Sequence, residues 1–154
     1  MLLLLLLASH PANATVVIYQ SGYAHVSIYA SIPPGQQLNL SLLGVPEDLE
    51  VELQNGSSLS YRLSDGELLI PPGPGGFIRV EYYTMSLVSK GPLAWYVNLT
   101  TPYPTDLWLP ENATLVYVSG IPREISAEGY SLLLELGPGS WEVSYVLPPP
   151  SPPP

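Results

Sequence analysis

Apolar and polar residues alternate with a period of two along most of the chain, and Gly and Pro punctuate the alternation at short intervals. Residues 36–43 set Leu38, Leu40 and Leu42 against Gln37, Asn39 and Ser41. In 48–54, Leu49, Val51 and Leu53 oppose Glu50, Glu52 and Gln54, and in 58–63 Leu59, Tyr61 and Leu63 oppose Ser60 and Arg62. Further along, Leu93, Trp95, Val97 and Leu99 oppose Ala94, Tyr96 and Asn98, while Trp141, Val143, Tyr145 and Leu147 oppose Ser140, Glu142 and Ser144. Successive side chains of a strand point to opposite faces, so each stretch offers one face to a core and the other to water. No long window carries a capped helical stripe. The pattern predicts strands over 15–20, 23–30, 36–43, 48–54, 58–63, 67–70, 77–88, 92–100, 106–109, 113–118, 130–136 and 140–147. Short strands at this spacing predict an all-β fold, an antiparallel β-sandwich of about 10–12 strands, immunoglobulin-like or related.

Parity fixes details. A one-residue slip would turn an apolar face outward. The odd loop Asn55-Gly56-Ser57 therefore predicts Leu53 against Leu59, Val51 against Tyr61 and Glu50 against Arg62, in place of a two-residue Asn-Gly hairpin. In 77–88 the apolar phase passes from Ile78, Val80 and Tyr82 to Tyr83, Met85 and Leu87, which predicts a bulge or bend near Tyr82. The Pro/Gly-rich stretch 71–76 marks a possible two-lobe division. Each half would hold only about 60–70 residues, so one sandwich with a long crossover is preferred. The prolines of 148–154 predict a stiff polyproline tail.

Composition places this fold outside the cell. All five asparagines stand in N-x-Ser/Thr sequons, at Asn13, Asn39, Asn55, Asn98 and Asn112. Chance would produce that at a rate on the order of one in ten thousand. Sequons act only on exported chains, and only at exposed positions. Leu2 to Leu7 and Ala8 suit the apolar core of a secretory signal, though no basic residue precedes them, and Ala12-Asn13-Ala14 has the small-x-small form of a cleavage site. The expected organisation is a signal peptide over 1–14, a β-domain over 15–147 starting at Thr15, and the tail 148–154. Asn39, Asn55, Asn98 and Asn112 are then the sites for covalent N-glycans. The localisation expected is extracellular or cell-surface. There is no cysteine, so the core must hold the fold without disulfides. The net charge of -9, with Arg62, Arg79, Lys90 and Arg123 as the only Lys or Arg, excludes nucleic acid as a partner.

Catalytic chemistry is sparse. His25 is the one histidine beyond the leader, no thiol exists, and no GxSxG elbow occurs. Clustered metal ligands and cofactor motifs are missing, so the reading is a non-enzyme without cofactors. Several glutamates fall on outward strand positions, where a solvated face explains them better than a glycosidase pair. One surface stands out. Tyr23, His25, Ser27 and Tyr29 share a face of 23–30 opposite Ala24, Val26, Ile28 and Ala30. Aromatic rings with polar tips suit a sugar or a protein neighbour, unless a second layer covers them as ordinary core. Trp95 and Trp141 read as core.

From Tyr82 onward the chain runs through Trp95-Tyr96-Val97-Asn98, then Trp108-Leu109-Pro110-Glu111-Asn112-Ala113 and Val116 to Pro122. It ends in Leu134-Glu135-Leu136-Gly137-Pro138-Gly139 and Trp141-Glu142-Val143-Ser144-Tyr145. This half of the chain resembles the extracellular β-sandwich segment of archaeal membrane-anchored surface proteins, in which a β-domain precedes a transmembrane helix and in some members a cytoplasmic winged-helix domain. The resemblance implies a sandwich fold and an extracellular compartment, and it includes ectodomains of membrane-anchored sensors. Two roles follow from the residues: a structural or adhesive surface protein that meets envelope neighbours or copies of itself, and a carbohydrate- or ligand-binding module using Tyr23, His25 and Tyr29. A filament form of the first would use 15–20, apolar on both faces, as a strand donated to a neighbour.

Overall fold

The structure, a computed structural model, describes residues 12–149. Of the expected leader, residues 1–11 lie outside the described residues, as do residues 150–154 of the expected tail. The described chain is all-β, with three sheets sharing one core. The largest has seven strands in the order β12-β13-β10-β1-β2-β7-β4. Its members are β1 (Ala12–Ile18), β2 (Ala24–Ile32), β4 (Glu47–Leu53), β7 (Gly76–Thr84), β10 (Thr105–Trp108), β12 (Glu124–Glu128) and β13 (Ser131–Leu136). A four-stranded sheet runs β11-β14-β9-β8, from β8 (Val88–Lys90), β9 (Trp95–Thr101), β11 (Thr114–Val118) and β14 (Gly139–Val146). The third, β3-β6-β5, comprises β3 (Leu38–Ser41), β5 (Arg62–Ser64) and β6 (Glu67–Ile70). The sandwich expected from alternation is therefore present, with fourteen strands.

Alternation translates directly into burial. Val16 and Ile18 of β1, Val26 and Ile28 of β2, Val80 of β7, Leu107 of β10 and Leu134 of β13 face the core from the large sheet. Leu38, Leu40, Leu68 and Ile70 enter it from the three-stranded sheet, and Val97, Leu99, Val143 and Tyr145 from the four-stranded one. Burying an aliphatic side chain of this size is worth about 1.5–3 kcal/mol, which is how a chain without disulfides holds together. Two tyrosines tie the layers with polar contacts. The Tyr82 hydroxyl donates to the Leu43 carbonyl at 3.0 Å and accepts from the Leu43 N–H. The Tyr103 hydroxyl donates to the Ser41 carbonyl at 2.7 Å.

One topological fact organises the rest. Strands β1 to β7 pair only with one another, and β8 to β14 likewise, apart from a single parallel seam in which Val16 stands opposite Leu107. Pairing thus changes hands at 85–87 and not at the 71–76 stretch. That stretch is a crossover between β6 and β7, both in the first set. Its Gly75 has φ of 82°, and a β-carbon there would meet the Ile32 carbonyl oxygen and the Pro34 nitrogen at 2.7 Å each, so only glycine fits.

Several strand expectations are corrected. β1 runs over Ala12–Ile18 where a strand over 15–20 was expected, with Ala14 buried and opposite Ile28. β1 is also paired on both sides within its own chain, which leaves it no free edge to donate to a neighbour. The hairpin loop after β4 keeps its odd parity and three-residue length but moves back one position, to Gln54-Asn55-Gly56: the Leu53 N–H donates to the Ser57 carbonyl, Glu52 bridges Ser58, and the Leu59 N–H donates to the Val51 carbonyl. Arg62 joins β5 against Leu69 and never meets Glu50. β7 keeps one phase through Tyr82 to Thr84, and the irregular stretch falls at 85–87. Tyr61, Leu63 and Leu93 are exposed; Leu63 stands opposite buried Leu68 but on the edge strand β5, which leaves it at the rim of the core. Trp95 and Trp141 are only partly buried; the Trp141 indole N–H donates to the Gly137 carbonyl at 2.8 Å.

Candidate functional site

The outer face of the seven-stranded sheet carries the residues singled out on β2. Tyr29 is exposed, Tyr23 and His25 are half-buried, and Ser27 is buried between the neighbouring strands. Among the described residues no second layer covers Tyr23, His25 or Tyr29, which are not core side chains. Pairing shows what stands beside each. His25 lies between Val17 of β1 and Tyr83 of β7, with Trp108 of β10 and Leu133 of β13 continuing the same row. The His25 and Tyr83 ring centroids are 4.9 Å apart with the planes tilted by 57°, within contact range for an aromatic pair. The Glu81 carboxylate comes within 3.9 Å of His25 Nε2, too far for a hydrogen bond. Tyr29 lies between Asn13 and Arg79.

The adjacent row is acidic. From edge to edge it reads Glu124, Glu135, Asp106, Thr15, Ser27, Glu81 and Glu50. At one end Glu124 stands opposite Glu135, and interaction with the Glu124 carboxyl raises the Glu135 pKa. At the other, Arg79 bonds Glu52 at 2.8 Å and approaches Glu81 at 3.3 Å, and these two carboxylates hold its guanidinium more firmly protonated. Exposed pairs of this kind add little stability.

Tyr83, Trp108 and Arg79 were missed because they sit on other strands, and only pairing brings them to β2. Among the described residues no hydrogen bond joins His25 to a hydroxyl, and no group of three or more His, Asp or Glu converges as metal ligands. No helix among them is long and apolar enough to cross a membrane.

All five sequon asparagines are exposed. Asn39 stands between buried Leu38 and Leu40, and Asn98 between buried Val97 and Leu99. Asn13 projects from the outer face of β1. Asn55 occupies the turn after β4, its side-chain oxygen accepting from the Ser57 N–H at 2.9 Å. Asn112 has φ of 64°, the left-handed conformation that asparagine tolerates better than most residues.

No family model matches the chain, and neither does any curated protein. Solved structures do. An aminopeptidase N family protein from Idiomarina loihiensis is 14% identical over 88% of this chain and 29% of its own, with a TM-score of 0.56. A two-domain M1 zinc metallopeptidase mutant bound to L-tryptophan is 11% identical over 86% of this chain and 41% of its own, with a TM-score of 0.45. An M1 zinc metallopeptidase mutant from Deinococcus radiodurans, bound to a Tyr-Ser-Ala substrate, is 13% identical over 87% and 41%, with a TM-score of 0.43. The chain spans less than half the length of each neighbour. At such identity the first likeness concerns the arrangement of strands alone.

Proposed function

We propose that this chain is a non-catalytic, N-glycosylated β-sandwich of the cell surface or secreted fraction, with a structural or adhesive role. The observation that carries the reading is that every asparagine lies in a sequon and every one is exposed, including two placed between buried strand neighbours. A random set of strand positions would bury some of them. Glycans also supply the solubility that a chain with 11% charged residues draws less from its side chains. Because β1 begins at Ala12, the mature N-terminus under this reading lies upstream of Ala12, and Asn13 joins Asn39, Asn55, Asn98 and Asn112 as an acceptor. Glycopeptide mass spectrometry on protein from the native host should find at least two occupied sequons and an N-terminal peptide that retains Ala12. Unmodified asparagines throughout would end the proposal.

A second reading, a carbohydrate- or ligand-binding module, is favoured by the open aromatic row around His25 and Tyr83 with Tyr23 and Tyr29 beside it. A glycan array separates the two readings. Binding that is lost in Tyr83→Ala supports the module, whereas large concentration-dependent assemblies in light scattering support the structural role.

A further inference from the structure

The outer face of the four-stranded sheet forms a groove of about 460 Å³, with Asn98 on its wall. One row across it reads Ser89, Tyr96, Ser144 and Tyr117. Ser144 forms a floor with 6% exposure, and the two tyrosines stand over it, one strand away on either side. In the next row Asn98 faces Glu142. We infer that this groove is the seat of the first sugar of the glycan on Asn98, which packs between Tyr96 and Tyr117; the inference rests on the proposed glycosylation.

The dimensions and chemistry agree. Strands are about 4.8 Å apart, so the two tyrosine-bearing strands lie about 9.6 Å apart. A pyranose ring in contact with an aromatic on each side needs about 3.5–4.0 Å twice, or about 7–8 Å. Asn98 and Tyr96 point to the same face two residues apart, about 6.8 Å along the strand. The tyrosine rings offer apolar faces to sugar C–H groups, and the Glu142 carboxylate accepts from sugar hydroxyls.

Two local features hold the groove ready. The Tyr96 ring lies against Gly91, where any β-carbon would collide with it. Tyr117 faces outward only because Val116 is a bulge: Leu115 pairs with Tyr145 and Tyr117 with Ser144. Were Val116 paired regularly, it would take the place opposite Ser144, and Tyr117 would stand opposite Val143 and face the core. A ring fixed before the ligand arrives loses little entropy on contact.

The test is thermal unfolding of protein from a host that glycosylates it, compared with the Asn98→Gln variant, in the wild-type, Tyr117→Ser, Tyr117→Phe and Tyr96→Ser backgrounds. Asn98→Gln should lower Tm by about 3–5 °C in the wild type and in Tyr117→Phe. The loss should shrink to about 1 °C or less in Tyr117→Ser and Tyr96→Ser. The sugar protons at Asn98 should also show upfield ring-current shifts that vanish in Tyr117→Ser. Equal Tm losses in every background, or unshifted sugar protons, overturn the inference. So does an empty Asn98 when Asn39 or Asn55 is occupied. Vacancy at all sequons removes the proposed function itself and the inference with it.

Discussion

Replacing Tyr82 by alanine is expected to lower the unfolding free energy by about 3–5 kcal/mol, measured by urea denaturation. The ring is among the largest fully buried side chains. Its hydroxyl serves both backbone groups of Leu43, so Tyr82→Phe alone should cost about 1–3 kcal/mol by stranding the Leu43 N–H and carbonyl. Tyr145 supplies the contrast. It is equally buried, stacked 6.3 Å from Trp95, and its hydroxyl has no hydrogen-bond partner among the described residues. Tyr145→Phe removes that orphaned group and should raise stability by about 1 kcal/mol. Equal signs for the two Tyr→Phe changes would contradict this account of the core.

Raising the pH from 9 toward 12 is expected to unfold the protein. Burial pushes the Tyr103 and Tyr145 phenols from 10.0 to about 12, and it raises Tyr82 as well. In the unfolded chain these groups ionise near 10, whereas in the folded chain they stay neutral to higher pH. Their stabilising share is therefore complete below pH 10 and is lost as pH climbs through the folded values. Tyr103 and Tyr145 then each contribute on the order of 1–3 kcal/mol that is lost over this range, a substantial fraction of the stability of an ordinary domain, about 5–15 kcal/mol. Circular dichroism and the part of the tyrosinate absorbance that belongs to the buried Tyr82, Tyr103 and Tyr145 should change together between pH 10 and 12, and Tyr145→Phe should move the midpoint upward. Complete tyrosine ionisation near pH 10 in a protein that keeps its strand signal would show that these phenols are not buried as described.

The faces of individual strands were legible wherever a strand has one wet side and one dry side. Asn39 between Leu38 and Leu40, Asn98 between Val97 and Leu99, and Tyr29 between Ile28 and Ala30 all point as alternation requires. Strand β12 was not expected although Ile125 and Ala127 alternate with Glu124, Ser126 and Glu128, because the run is only five residues long and, as an edge strand, it exposes both sides. Tyr83 and Met85 imitated a change of phase because they are apolar yet outward, Tyr83 lying against His25. The candidate face was legible only along one strand. Tyr23, His25 and Tyr29 share it by parity, whereas Tyr83, Arg79 and Trp108 reach it through pairings between segments far apart in the chain.

The single parallel seam between β1 and β10 has a consequence for how the molecule forms. By Thr84 the emerging chain already holds β1, β2, β7 and β4 together with the whole β3-β6-β5 sheet. The central strand β1 nevertheless keeps one edge open until Thr105–Trp108 arrives, and a contact of such long sequence separation closes slowly. The two sets should behave as separate early folding units whose joining is the late step, with mutations along the seam slowing maturation and changes within either set acting before it. That interval leaves a strand with buried Val16 and Ile18 unpaired on one side while synthesis continues, so the seam is also where the nascent chain is most vulnerable to mispairing with another copy.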